Sequence, residues 1–155
     1  MGKINLKVLI SCLVIVYAVA LIGSLFTSSS VSSSWYESIK PAITPPNWVF
    51  PIVWNILFFL IAISLYLVWT FSNKKDKGKI IIVYTINFIL NVFWSILYFG
   101  LKNPAIAFYE IIFLFSSIIA MILINYRINK TAFYLLIPYL LWVGFAGVLN
   151  WLSAF

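Results

Sequence analysis

The side chains with the most chemical content in this sequence are indoles, phenols and carboxamides set at helical spacing inside long apolar runs. Tyr84, Asn87, Asn91, Trp94 and Tyr98 recur at steps of three and four residues, so they share one helical face. Tyr139, Trp142, Ala146 and Asn150 share another, and Trp54 and Phe58 are one turn apart, with Asn55 beside them. Aromatic walls with a few carboxamides suit a large, flat, mostly apolar ligand, whose rings stack on Trp and Phe while Asn groups hold its polar edges. The same residue types have a plain structural use. Asn forms interhelical hydrogen bonds in membranes, and Trp and Tyr collect at the lipid–water interface. Trp48, Trp69, Trp151 and Tyr126, near the ends of runs, fit the interfacial use; Trp54, Trp94 and Trp142 lie deeper and fit it less well.

Glu110 is the only acidic residue inside an apolar run. A proton-coupled carrier could use such a group. The structural alternative, which is favoured, is a carboxylate that pairs with Lys102 or Lys40 or reaches toward the headgroups. No catalytic or metal site is expected. The chain has no His and a single Cys, Cys12, so His-based triads, His-ligated metals and an intrachain disulfide are excluded. Paired carboxylates and a Gly-rich phosphate loop are also missing.

The elements that must carry these residues follow from composition. Of 155 residues, 65% are hydrophobic and 8% charged, against about half and about a quarter in soluble domains. The apolar runs Val8–Phe26, Trp48–Phe71, Ile80–Leu101, Ala105–Asn125 and Thr131–Phe155 each approach the roughly 20 residues that a helix needs to cross hydrocarbon. The in–out alternation of spanning strands is absent. The expectation is an all-α membrane protein: a single domain over 1–155, built as a five-helix transmembrane bundle, with helices near 6–27, 46–72, 79–101, 104–126 and 130–154. Residues 27–34 read as a polar stretch, Pro41, Pro45 and Pro46 as an extended loop, and Asn73–Lys79 as a basic turn. The first run is longer than a typical signal-peptide core and reads as a retained helix. The net charge of +7 serves orientation rather than nucleic-acid binding. Lys3, Lys7, Lys74, Lys75, Lys77, Lys79, Arg127 and Lys130 fall on one side and Lys40 and Lys102 on the other. Eight against two places the N-terminus in the cytoplasm. Counting 1.5 Å per residue from the outer ends puts Trp54 about 10 Å deep, Asn91 about 15 Å, Trp142 about 20 Å, and Asn150 and Glu110 each just under about 10 Å. These faces could meet in one outward-opening cavity beneath the Pro-rich loop.

Three ordered blocks resemble a known family. They are Trp35-Tyr36 with Lys40-Pro41 and Pro45-Pro46-x-Trp48-Val49-Phe50-x-x-Val53-Trp54; Asn87-x-x-x-Asn91-x-x-Trp94-Ser95; and Pro138-Tyr139-x-x-Trp142-x-x-Phe145-Ala146-x-x-Leu149-Asn150. Together they resemble the TspO/MBR family of tryptophan-rich sensory proteins, the bacterial relatives of the mitochondrial translocator protein. The resemblance implies five packed helices in the cell membrane, a homodimer, and a pocket open toward the first loop. It implies protoporphyrin IX or a related tetrapyrrole as ligand, with isoquinoline and benzodiazepine drugs also accepted, membrane lipid as the surroundings, and no obligatory cofactor. The role implied is that of sensor, regulator or carrier. Carried over by motif, the pocket is lined by Tyr36, Pro45, Trp54, Phe58, Asn87, Asn91, Trp142, Ala146 and Asn150. The family is also linked to light- or oxygen-dependent porphyrin breakdown at the positions of Trp54 and Trp142. One departure is that no Lys or Arg follows Tyr139, as the eukaryotic sterol motif requires, so sterol binding is not expected. Without His, porphyrin binding should rest on stacking and shape, and metal-free porphyrins should bind as well as haem. Lys40 is available to propionates.

Overall fold

A backbone amide left unpaired in hydrocarbon is costly, and each apolar run of this chain pairs its own amides by closing into a helix. The computed structural model describes residues 4–155; Lys3, counted above among the orienting charges, lies outside the described residues. The helices are α1 (Leu6–Thr27), the short loop helix α2 (Ser34–Ile39), α3 (Val49–Phe71), α4 (Lys74–Ser95), α5 (Pro104–Ile128), α6 (Lys130–Leu135) and α7 (Ile137–Ala154). A π-helical turn, Ile96–Gly100, continues α4. Counting α4 with its π turn, and α6 with α7, gives five spans of 22 to 27 residues, each long and apolar enough to cross a membrane.

The helix starts are chemically marked. Asn5, Asn103 and Asn129 each turn a side-chain oxygen onto a backbone N–H three residues on, at 3.3, 3.1 and 2.9 Å, satisfying donors that the first turn leaves free. Pro104 follows Asn103 at the first helical position, where its missing N–H costs nothing. Before it the chain reverses through Lys102, whose φ of 52° is the one positive value among the described residues.

Several boundaries differ from the sequence expectation. The basic stretch after Asn73 is not a turn but the first turns of α4, so only Ser72 and Asn73 separate α3 from α4. Hydropathy marks where a chain leaves hydrocarbon. A helix continues past that point wherever its residues tolerate helix, and Lys does so well. The third span ends in a π turn, which brings Leu97, Tyr98 and Phe99 all into the interior. The fifth span is interrupted at Leu136, because Pro138 cannot donate to a carbonyl in the preceding turn.

Around the bundle α3 lies beside α1, α1 beside α4, α4 beside α5, and α5 beside α7. The ring closes through α6, which packs on α3, whereas α3 and α7 scarcely meet. The bundle is therefore shut at the α6 end and parted between α3 and α7 further along. Val16, Ile61, Ile80, Ile118, Met121 and Leu136 form the apolar centre.

Candidate functional site

Where α3 and α7 part, one residue carried over by motif, Trp142, reaches the surface between them. A groove of about 470 Å³ runs between them, lined by Val53, Ile56, Leu57, Pro138, Leu141, Trp142 and Phe145. Its lining residues come from α3 and the Pro138–Phe145 part of α7, and none comes from the first loop. Trp142 is its most distinctive wall. The indole meets Phe50 edge-on at 5.8 Å and Phe145 at 5.7 Å between centroids, and its Nε1 is buried without a hydrogen-bond partner among the described residues. Of the nine residues carried over by motif, Trp142 alone lines this groove.

Behind the groove sits the aromatic pair expected on α3. Trp54 stacks on Phe58, with centroids 5.4 Å apart and planes 30° from parallel, and Trp54 meets Tyr139 of α7 edge-on at 6.3 Å. Tyr139 is fully buried. Its hydroxyl donates to Asn87 Oδ1 and accepts from Asn91 Nδ2, each at 3.2 Å. Asn87 Nδ2 in turn donates to Ser117 Oγ on α5 at 2.9 Å. Asn150 accepts from Trp94 Nε1 at 2.9 Å and donates to the Pro104 carbonyl at 2.7 Å. The carboxamides expected to face a ligand are thus buried and engaged with neighbouring helices, which is the interhelical use weighed from sequence. A side chain with four hydrogen-bonding positions in a dry interior takes the partners within reach. Ala146, half-buried, packs on the same core as Trp54 and Trp142.

Tyr36 and Pro45 belong to the first loop. Ser33 caps α2 by accepting from the Tyr36 N–H at 3.2 Å. The buried Tyr36 ring then meets Phe99 of the π turn at 5.7 Å. Trp35 meets Tyr98 at 6.0 Å. The loop therefore covers the end of α4 and its π turn, and Trp94 joins this cluster to the main core. Pro45, half-buried, lies between two turns before α3, closed by the Thr44 N–H on the Pro41 carbonyl at 3.0 Å and the Val49 N–H on the Pro46 carbonyl at 2.9 Å, so this stretch is not the extended loop expected. Asn47 ties that stretch back through Nδ2 to the Val31 carbonyl at 3.1 Å.

Asn55 and Glu110 stand apart from this network. Asn55 is exposed on the outer face of α3 and donates to its own helix at the Pro51 carbonyl, 2.8 Å away. Glu110 is 6% exposed, and both carboxylate oxygens are buried without a hydrogen-bond partner among the described residues. It does not pair with Lys40 or Lys102. Lys40 is bound to Glu37 at 2.8 Å, and the Lys102 ammonium lies 5.9 Å from the Trp35 ring centre. The sequence reading also passed over a second polar knot, in which Asn125 Nδ2 donates to Ser64 Oγ and to Tyr84 OH, both at 2.9 Å, and Ser64 donates to the Ala132 carbonyl at 2.7 Å. A signal existed: Glu110, Leu114, Ser117, Met121 and Asn125 follow helical steps of four and three on α5 and are all buried.

Five spans, each long and apolar enough to cross a membrane, around an apolar core crossed by Tyr and Asn hydrogen bonds define a multi-pass membrane protein. The chain belongs to the TspO/MBR family, whose pattern matches residues 12–154. It is 40% identical over 147 residues to a tryptophan-rich protein TspO of Archaeoglobus fulgidus, covering 94% of each chain. It is 37% identical over 142 residues to the protein of that name in Chlorobaculum tepidum, covering 90% of this chain and 89% of the other. The human translocator protein is 30% identical over 120 residues, which is 76% of this chain and 71% of that one.

Proposed function

We propose that this protein binds a porphyrin-type tetrapyrrole in the cell membrane, as a sensor, regulator or carrier, in the groove between α3 and α7. The N-terminus faces the cytoplasm on the eight-to-two division of basic residues. The observation that carries the reading is Trp142, whose ring stands on the wall of an apolar groove and meets Phe50 and Phe145. A planar guest gains stacking from the ring. The Trp54–Phe58 stack behind Val53 and Leu57 offers further aromatic surface. Flat isoquinoline and benzodiazepine drugs fit the same chemistry. Protoporphyrin IX titrated into the purified protein should quench Trp fluorescence saturably, and Trp142→Ala should weaken binding about tenfold, the scale of one lost aromatic contact. Quenching no stronger than in an unrelated membrane protein would remove the proposal.

Glu110 supports a second reading, a proton-coupled exporter. A buried carboxyl with neither cation nor donor among the described residues is an expensive feature to keep in a membrane interior. Glu110→Gln should abolish uptake driven by a pH gradient in vesicles while leaving porphyrin affinity intact; normal transport by this variant would eliminate the reading.

A further inference from the structure

A second groove, also about 470 Å³, lies on the far side of the bundle between α1, α3 and α4, away from Trp142. Its two long walls have the same profile. On α1, Lys7, Ser11 and Ile15 line it at successive turns. On α4, Ile81, Tyr84 and Phe88 do so, and Lys77 stands one turn before Ile81 on the same face. The Lys77 ammonium lies 4.5 Å from the ring centre of Trp69, which is itself part of the wall. Both stripes thus begin with a cation at one end and turn apolar along their length. At 1.5 Å per residue, Lys7 to Ile15 spans about 12 Å and Lys77 to Phe88 about 16 Å. That matches one leaflet of hydrocarbon, about 15 Å. The surrounding charge agrees: Lys74, Lys75 and Lys79 share this end with one acidic residue, Asp76.

We propose that this groove holds one anionic phospholipid of the inner leaflet, its phosphate between Lys7 and Lys77 and an acyl chain along Ile15, Ile81 and Phe88. Cationic rims on apolar grooves between spans suit anionic headgroups, and a chain end with excess Lys lies where such lipids supply negative surface potential. Ser11 and Thr85, both exposed, are the polar interruptions of the walls. The Trp69 indole stands beside the headgroup level, where amphipathic rings are favoured.

Native mass spectrometry of the full chain, released from micelles containing dioleoyl phosphatidylglycerol and dioleoyl phosphatidylcholine, tests the assignment. One phosphatidylglycerol should be retained in preference. Lys7→Ala and Lys77→Ala should each weaken retention about fivefold, the effect of one basic residue near an anionic surface. Ser11→Phe, which fills the groove partway down, should abolish retention, and Thr85→Phe, on another wall, should do the same. Quenching by protoporphyrin should stay unchanged in all four, so this site stands or falls independently of the first. Equal retention of the two lipids overturns the proposal, as does wild-type retention by either filled variant. Loss of a dimer with lipid retention unchanged also overturns it, and assigns the groove to a second copy of the chain. If neither filled variant folds, the two lysine substitutions, at groove-rim charges, decide the matter alone.

Discussion

At the scale of single residues, the interior is organised by hydrogen bonds rather than ion pairs. Tyr139 is the hub, joined to two carboxamides of α4 and, through Asn87, to Ser117 of α5. In water such bonds have strong competitors. In a membrane bundle the unfolded reference also finds partners, so each bond is worth about 1 kcal/mol or less, rising to roughly 1.7. Tyr139→Phe removes the hydroxyl and leaves Asn87 Oδ1 and Asn91 Nδ2 without it. We expect a loss of about 1–2 kcal/mol in a denaturant titration in micelles; an unchanged midpoint would show that the two Asn groups find other partners. The residue types on these faces were legible from spacing. Their pairing was not, because a carboxamide on a helix face has the same pattern whether it meets a ligand or a neighbouring hydroxyl.

At the scale of elements, the first loop is a packed cover rather than an open rim. Its α2 helix is held by a Ser33 cap, an exposed Lys40–Glu37 pair that adds little stability of its own, and the burial of Tyr36 on Phe99. The Lys40 hydrogen bond holds the Glu37 carboxyl below its ordinary range. Burial, helped by nearby Tyr98 and Glu37, pushes the Tyr36 phenol from 10.0 up to about 12. A phenol that resists ionising when packed stabilises the closed loop fully below pH 10, and this contribution is lost as pH rises toward 12. The tyrosinate absorbance lost in Tyr36→Phe should titrate near pH 12, and the variant's loop should resist protease across the pH 10–12 window that loosens the parent. A Tyr36 titrating at the ordinary value would mean that the loop does not bury it.

At the scale of the whole molecule, orientation and opening have separate causes. On the proposed topology, orientation follows the basic residues at the ends of the spans. Replacing Lys74, Lys75, Lys77 and Lys79 by Gln leaves four basic residues against two, and a mixed population should appear when reporter fusions at the C-terminus are scored for side. Uniform topology in that variant would transfer the orienting role to the N-terminal lysines. The groove accompanies the break at Leu136: α6 packs on α3, whereas α7 meets α3 at few points and leaves the groove that Trp142 lines.

By itself the sequence determined the number of spans, the helical nature of each, the faces bearing Trp, Tyr and Asn, and the family. These depend on local quantities: apolar length against bilayer thickness, a period of 3.6 residues, and motif order. The tertiary structure alone decided which Asn is paired, that Glu110 stands without a partner among the described residues, that Asn55 faces outward, and that a groove lies between α3 and α7. Each of those depends on how two helices remote in sequence approach one another. Within a bilayer, where lipid and protein interior are equally apolar, hydrophobic pattern does not distinguish the inward face from the outward one.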